Sequence, residues 1–299
     1  MAVDVNSNKY TFIFATVMVI VVATVLALAS ESLKPMQKKN VANEKRQNIL
    51  TSIGVEVEAA EAEAAYDENL VEALVLDANG QVLEEPTVGA FDIDVLKDYK
   101  AGLSGIYKAN ANDMEAMKAA LLTWGKEGTG TGVNYPLFVL KKGGENVYVV
   151  PMVGTGLWGP IWGYVTIAND GETVVGAVFD HKSETPGLGA EINQASFQKP
   201  FEGKTIFDES GEFTGIKVMK GGAKGSEHGV DAISGGTITS NGVTEMIVRT
   251  LKIYEPYLLK LKGGAKTADV IELSVDSASL ALDSLNVELI GDSLELSAE

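Results

Sequence analysis

The sequence predicts an α+β protein with a single N-terminal transmembrane helix, followed by a soluble domain in which helices flank an antiparallel sheet. Three observations predict this class. A long uncharged stretch lies near the N-terminus, strand-like segments separated by short turns follow in the second half, and an amphipathic segment comes after them. Strands joined by short turns pair antiparallel, whereas a parallel sheet requires a longer crossover between successive strands.

The uncharged stretch covers residues 10–29, YTFIFATVMVIVVATVLALA. Its length suits a membrane-spanning helix, which needs about 20 apolar residues. The alternative is a cleaved signal peptide, because Ala27 and Ala29 form a small-residue pattern typical of a cleavage site. However, the apolar core exceeds the roughly 7–15 residues usual for a signal peptide. We therefore predict a retained membrane anchor.

The distribution of basic residues around this stretch bears on orientation. Lys9 is the only basic residue before it, whereas five follow it: Lys34, Lys38, Lys39, Lys45 and Arg46. Taken alone, the positive-inside rule therefore places the body of the protein in the cytoplasm.

The chain between the anchor and the strands is predicted to be mainly helical. Residues 34–53 are polar and helix-like, residues 59–74 are rich in alanine and glutamate, and residues 113–124 form a further helical segment. The glycine-rich stretch 125–134 is typical of a loop or a domain boundary.

Two strand pairs with a turn signal between their members are predicted next: PLFVL with VYVVPMV, and WGYVTIA with TVVGAVFD. A third pair is KTIFDES with GEFTGIKVMK, which follow each other directly in the chain. The last regular element is a helix over about 242–261, with a kink expected at Pro256. Its apolar residues recur at three- and four-residue steps, so one face can pack on the sheet.

These segments divide the chain into five parts. Residues 1–9 form an N-terminal segment, 10–29 the transmembrane helix, and 30–135 a helical linker with the first part of the soluble domain. The main domain covers 136–262, and an acidic tail covers 263–299. From residue 267 onward the tail has eight acidic residues and no lysine or arginine, which predicts a solvated appendage.

Composition excludes several functional classes. The net charge of -17 argues against a nucleic-acid partner, because phosphates would be repelled. The chain has no cysteine, so thiol catalysis, cysteine-ligated zinc and iron–sulfur clusters are excluded within it. Its two histidines, His181 and His228, argue against a histidine-rich metal site, and we predict neither a metal site nor a catalytic triad. Redox chemistry would require a bound organic cofactor.

The stretch DAISGGTITSNG, residues 231–242, combines a glycine turn with several hydroxyl side chains before a helix. Unpaired N–H groups at a helix start carry partial positive charge, and glycine lets a ligand approach the backbone closely. Such a loop can bind an anion, most often phosphate. The alternative is an ordinary helix cap, in which Ser, Thr and Asn are common.

This stretch resembles the flavinylation motif of FMN-binding domains, usually written with Ser-Gly-Ala-Thr. In that family a separate flavin transferase, using FAD, esterifies the threonine to the FMN phosphate. The resemblance implies that Thr237 carries covalent FMN and that Asp231 is the leading acid of the motif. Here Gly236 replaces the usual alanine, which is a small-for-small exchange.

Two further stretches resemble the same family: VGTGLWGPIWGYV at 153–165 and DHKSETPGLGAEI at 180–192. The three motifs and the single span together resemble the C subunit of the Na⁺-translocating NADH:quinone oxidoreductases over residues 8–261. The resemblance implies a set of FMN-binding residues around Thr237, namely Trp158, Glu184, Thr185, Leu188, Gly189, Asp231, Ser234, Gly235, Gly236 and Thr239.

The resemblance also implies function and partners. It predicts an electron-transfer subunit of a six-subunit complex that includes a second membrane subunit with covalent FMN, with the soluble domain on the periplasmic side of the bacterial inner membrane. This side conflicts with the charge rule, and we favour the resemblance. Two alternatives remain open: the FMN subunit of a related ferredoxin:NAD⁺ oxidoreductase, and a non-redox membrane-tethered module that binds a phosphate ligand.

Overall fold

A computed structural model describes residues 7–124 and 132–264. Most of the glycine-rich stretch 125–134 and nearly all of the acidic tail therefore lie outside the described residues. Among the described residues, one helix, at the N-terminus, is long and apolar enough to cross a membrane, and its most apolar part is not buried by the rest of the protein.

This first helix, α1, runs without a break over Asn8–Ser52. The sequence suggested two helices, 10–29 and 34–53, because polarity changes sharply between them. The structure joins them into one 45-residue helix that contains Pro35. A change in polarity alters the surroundings of a helix but leaves its backbone hydrogen bonds in place, so it does not end the helix.

The remaining helices are mostly short. They are α2 Ala62–Asn69, α3 Val95–Asp98, α4 Ser104–Ala109, α5 Met114–Thr123, α6 Ala195–Gln198 and α7, which covers 237–264. Single turns of other helix types cover Ala90–Asp92, Tyr99–Leu103, Gly189–Asn193 and Lys199–Phe201. The predicted helix at 113–124 is confirmed by α5.

Five strands form one antiparallel sheet in the order β1-β2-β3-β4-β5. They are β1 Leu70–Leu76, β2 Tyr135–Lys142, β3 Glu145–Thr155, β4 Pro160–Ile167 and β5 Val174–His181. The sheet confirms the predicted fold class, and β2–β3 and β4–β5 confirm the first two predicted hairpins.

Two predictions of local structure were wrong in part. The helix predicted over 59–74 ends at Asn69, and the chain continues as β1, because pairing with β2 outweighs the helix preference of alanine and glutamate. The third predicted hairpin is reduced to a single bridge between Phe207 and Phe213. Instead, β6 Lys217–Met219 pairs parallel with β7 Gly229–Asp231.

Helix α7 covers one face of the sheet. Its predicted apolar face is confirmed, because the following side chains are fully buried: Val243, Met246, Ile247, Leu251, Tyr254 and Leu258. The hydroxyl of Tyr254 donates a 2.7 Å hydrogen bond to the carbonyl of Pro136, and burial raises the pKa of Tyr254 well above its usual value. The helix begins at 237 rather than 242, so the hydroxyl residues of the motif occupy its first turn.

The end of α1 packs on the opposite face of the sheet. Ile49 and Leu50 belong to a buried cluster with Phe138. Thr166 of β4 donates a 2.8 Å hydrogen bond to the hydroxyl of Ser52. The N-terminal helix is therefore built into the domain at its C-terminal end.

Candidate functional site

Three chain segments meet at one end of the sheet, and each contains one of the sequence motifs. The turn 156–159 joins β3 to β4, the segment 184–189 follows β5, and the segment 234–239 leads into α7. Strands β3, β4 and β5 are neighbours in the sheet, so the turn and the segment after β5 leave it close together.

The carboxylate of Glu184 connects these segments. One oxygen, Oε1, accepts a 2.8 Å hydrogen bond from the backbone N–H of Trp158. The other, Oε2, accepts a 2.5 Å hydrogen bond from the hydroxyl of Thr239. Glu184 is only 5% exposed and Thr239 only 2% exposed, so both bonds lie inside the protein.

Two glycines leave the space that this carboxylate occupies. A side-chain carbon built on Gly189 would lie 2.4 Å from Glu184 Oε2 and 2.5 Å from the hydroxyl oxygen of Thr239. A side-chain carbon on Gly156 would lie 2.5 Å from Glu184 Oε1. Any larger residue at either position would displace the carboxylate.

The glycine pair of the motif forms a tight turn before α7. Gly235 has a φ of +75°, which favours glycine, and a side-chain carbon there would lie 2.6 Å from Leu188. Gly236 is buried, and its N–H donates to the carbonyl of Ile233 at 3.0 Å. The turn therefore brings the start of α7 against the segment 184–189.

Thr237 is the first helical residue of α7, and its side chain is exposed, as is that of Ser234. The N–H groups in the first turn of a helix have no partner within the helix and favour a negative charge nearby. A phosphate on the Thr237 hydroxyl would therefore lie beside these donors. Thr237 therefore offers an exposed hydroxyl at the anion-favouring start of a helix.

The three segments also carry apolar side chains that are exposed to solvent. Trp158 is 65% exposed, and Leu157, Leu188 and Ile238 are also exposed. An apolar ring system could be covered by such side chains, and an aromatic side chain can stack on it.

The structure gives different surroundings to other residues of the predicted set. Asp231 lies at the end of β7, where its carboxylate accepts a 2.5 Å hydrogen bond from the N–H of Ala223. The carbonyl of Thr185 accepts hydrogen bonds from the N–H groups of Leu188 and Ala190, so it closes the turn of the segment 184–189. These contacts are internal to the fold.

Sequence reasoning did not predict the contacts of several residues, all inside the quoted motifs, that hold the site together. Gly156 was not singled out, although it borders the carboxylate of Glu184. The ring of His181 accepts a 3.1 Å hydrogen bond from the N–H of Glu184, and the hydroxyl of Ser240 accepts one from the N–H of Ile233 at 3.2 Å. All three lie within the quoted motifs, but their roles depend on contacts that the motifs alone do not reveal.

The polar groups of the site are mainly carboxylates, hydroxyls and backbone N–H groups, and they indicate which kind of ligand it could bind. Over the ranges 7–124 and 132–264, there is no group of three or more His, Asp or Glu side chains suited to a metal ion. The donor set instead offers hydroxyls, backbone N–H groups and apolar side chains, which suits an organic phosphate with a ring system.

Fold and site together define a flavin-binding domain. The family model described as FMN-binding domain matches residues 156–252, which include all three segments. Its similarity to known proteins identifies a narrower family: the chain belongs to the C subunits of the Na⁺-translocating NADH-quinone reductases.

The relatives match over nearly their full length. The C subunit of the Vibrio parahaemolyticus reductase is 33% identical, and the match covers 88% of this chain and 99% of the relative. The C subunit of Neisseria meningitidis serogroup A is 31% identical, and the match covers 87% of this chain and 96% of the relative. The C subunit from Parabacteroides distasonis, known from a crystal structure, is 39% identical in sequence. The two structures superpose with a TM-score of 0.60, and the match covers 76% of this chain and 96% of that chain.

Proposed function

We propose that the protein is a membrane-anchored electron carrier whose FMN is joined to Thr237 through a phosphoester. It acts as a subunit of a Na⁺-pumping NADH:quinone reductase and has no complete activity alone. The observation that carries this proposal is the exposed hydroxyl of Thr237 at the first residue of α7, inside the matched FMN-binding domain. A phosphoester there keeps the flavin on the protein at any concentration of free FMN.

The residues around Thr237 fit the cofactor. The first turn of α7 provides N–H groups for the phosphate, and the tight turn at Gly235 and Gly236 sets the direction in which the chain enters that turn. The exposed side chains of Trp158 and Leu188 offer apolar surface for the ring. When bound, FMN supplies the electron-accepting and electron-donating chemistry that the side chains of this chain lack.

The partners follow from the family. We propose the other members of a six-subunit complex as electron donor and acceptor, including a second subunit with covalent FMN, and a flavin transferase that modifies Thr237. The names of the relatives support the quinone-linked complex over the ferredoxin-linked alternative. The match to an FMN-binding domain disfavours a non-redox phosphate-binding module.

The proposed location is the bacterial inner membrane, with α1 as the anchor and the domain on the periplasmic side. The basic residues that argue for the opposite orientation include two with structural partners. Lys45 donates hydrogen bonds to the carbonyls of Phe91 and Ile93, and Arg46 pairs with Glu63 at 3.0 Å. These two basic residues therefore have a reason to be present that is independent of membrane orientation.

A single peptide tests the proposed attachment. Trypsin cleaves after Lys224 and Arg249, and no lysine or arginine lies between them, so residues 225–249 form one peptide that contains Thr237. In protein produced together with a flavin transferase, the Thr237 hydroxyl would lose its proton and displace AMP from FAD, so we expect this peptide to be heavier by one FMN less one water. An unmodified peptide from a yellow protein would indicate non-covalent flavin, and an unmodified peptide from a colourless protein would overturn the proposed function.

A further inference from the structure

Glu184 is a buried carboxylate with an unusual set of partners. It accepts hydrogen bonds from one backbone N–H and one hydroxyl, and within the described ranges no basic side chain forms an ion pair with it. Burying a carboxylate without a counter-charge is costly, and hydrogen bonds offset only part of that cost. Such a group is therefore expected to be retained for a role at the site rather than for stability.

The partners of Glu184 show what that role is. Trp158 lies 26 residues before it in the chain and Thr239 lies 55 residues after it, so the carboxylate joins three segments that the chain does not otherwise connect directly. A third contact, from the hydroxyl of Ser183 to the carbonyl of Trp158 at 3.3 Å, supports the same junction.

The junction also determines how the first turn of α7 is presented. Residues two apart on a helix point in roughly opposite directions, since each residue turns the helix by about 100°. Thr239 points inward to Glu184, and Thr237 is consequently exposed on the outer side. Fixing the side chain of Thr239 therefore fixes the rotation of this turn and, with it, the direction in which the Cα–Cβ bond of Thr237 points.

We propose that Glu184 is a positioning residue that holds the first turn of α7 against the Trp158 turn and thereby presents the Thr237 hydroxyl for flavin attachment. This role rests on the proposed function. It differs from the ring contact that the sequence resemblance implied, because Glu184 acts here through Thr239 and the backbone of Trp158.

The test separates the junction from general stability. Thr239→Val and Thr239→Ala remove the hydroxyl and leave one oxygen of Glu184 buried without its donor, whereas Thr239→Ser keeps the donor. Thr244→Val is a matched control on the same helix, because the hydroxyl of Thr244 accepts a 2.9 Å hydrogen bond from the N–H of Val218, away from the junction.

The first readout is hydrogen exchange in the full chain before flavin attachment. In Thr239→Val and Thr239→Ala we expect the N–H of Trp158 to exchange roughly tenfold faster or more, because the carboxylate that it binds has lost its second partner. Thr239→Ser and Thr244→Val should leave this exchange close to that of the unaltered protein. Glu184→Gln should retain most of the protection, since its amide oxygen can still accept the Trp158 N–H.

The second readout is the rate at which a flavin transferase with FAD modifies Thr237 in the folded fraction of each variant. Slow attachment in Thr239→Val and Thr239→Ala, restored in Thr239→Ser, would support the positioning role. Unchanged Trp158 exchange and unchanged attachment in both hydroxyl-free variants would overturn it. A failure of the unaltered protein to be modified at Thr237 would instead overturn the proposed function, and the exchange result would still report on the junction.

Discussion

Gly242 of α7 lies directly against the backbone of Thr155 at the end of β3. A side-chain carbon on Gly242 would be only 2.1 Å from the carbonyl oxygen of Thr155, which is too close for any real contact. Residue 155 leads into the turn that carries Trp158, and α7 carries Thr237 five residues before Gly242. This contact, together with that of Gly154 in β3 against Met246 in α7, limits how near the helix can come to the sheet at the site.

Gly242→Ala should destabilise the protein and impair flavin attachment. The added methyl group meets backbone rather than a flexible side chain, so the helix must move away, and overpacking of this kind typically costs about 1–3 kcal/mol. The denaturant midpoint and the flavin content of the purified chain measure both effects. Gly105→Ala is the control: nothing lies within 4 Å of the added carbon, and alanine is favoured in a helix, so stability should be unchanged or higher. Equal stability of Gly242→Ala and the unaltered protein would contradict the contact.

Thr237→Ala should abolish covalent flavin while the fold persists. The side chain is exposed and has no buried partner to leave unpaired, so the loss of stability should be below about 1 kcal/mol. In-gel flavin fluorescence after denaturation measures attachment, and thermal unfolding measures stability. Fluorescence that survives denaturation in Thr237→Ala would move the attachment to another hydroxyl, for which Ser234→Ala is the matched comparison.

Gly189→Ala should disrupt the site more than its small size suggests. The methyl group would occupy the space of the Glu184 carboxylate and the Thr239 hydroxyl, so at least one buried hydrogen bond must be lost, at a cost of about 1–3 kcal/mol. Gly187→Ala separates sterics from backbone strain, because its φ is +75° but nothing lies within 4 Å of the added carbon. We expect lower stability in both variants, and a loss of Trp158 N–H protection in Gly189→Ala alone.

The free energy of unfolding should depend on pH through Lys45. Burial lowers the pKa of Lys45 to about 8 from 10.5, although Asp94 and Asp92 act in the opposite direction. Between these values the unfolded chain binds a proton that the folded chain has lost. The Lys45 contribution to stability therefore rises with pH over this range and is lost again as pH falls through about 8.

Lys45→Met removes this dependence. The free energy of unfolding of the unaltered protein, minus that of Lys45→Met, should increase by about 1–3 kcal/mol from pH 8 to pH 10.5. Both proteins are denatured at several pH values in the same buffers. The contribution of tyrosine ionisation is the same in both, so it cancels in the difference between their free energies of unfolding. Parallel profiles for the two proteins would show that the amine keeps its usual pKa.

Protease accessibility tests the orientation. If the domain is periplasmic, protease added to intact spheroplasts should cleave the body after residue 30 at once, while a cytoplasmic control protein survives. Protection of the body until the membrane is lysed would place it in the cytoplasm, as the distribution of Lys34, Lys38 and Lys39 suggests. That result would contradict the proposed location.

Sequence periodicity was enough to predict the parts of the fold that depend on neighbouring residues. The alternating strands β2 to β5 and the apolar face of α7 around Met246 and Leu251 follow from local patterns. Strand β1 could not be predicted in this way, because Leu70–Leu76 is a strand only by virtue of its partner β2, which lies far along the chain.

The candidate site likewise has a part that local sequence predicts and a part that depends on distant segments. The three motifs were recognisable from the sequence, and with them the exposed Thr237 and the tight turn at Gly235. The inward position of Glu184 and the close contacts of Gly156 and Gly242 were not, because each depends on a distance between segments far apart in the chain. Gly156 and Gly242 lie inside the quoted stretches 153–165 and 231–242, but a glycine in a motif does not by itself show which distant segment it contacts.

Because α1 is one continuous helix, it sets both the distance and the rotation between the apolar segment and the domain. Its C-terminal end is hydrogen-bonded to the sheet through Ser52 and its N-terminal half is the apolar segment, and the helix is continuous between them, with Pro35 as the position where a backbone hydrogen bond is missing. Each residue of a helix adds about 1.5 Å and about 100° of rotation. The number of residues between 30 and 52 therefore determines how far the Thr237 face lies from the apolar segment. It also determines the direction in which that face points around the helix axis.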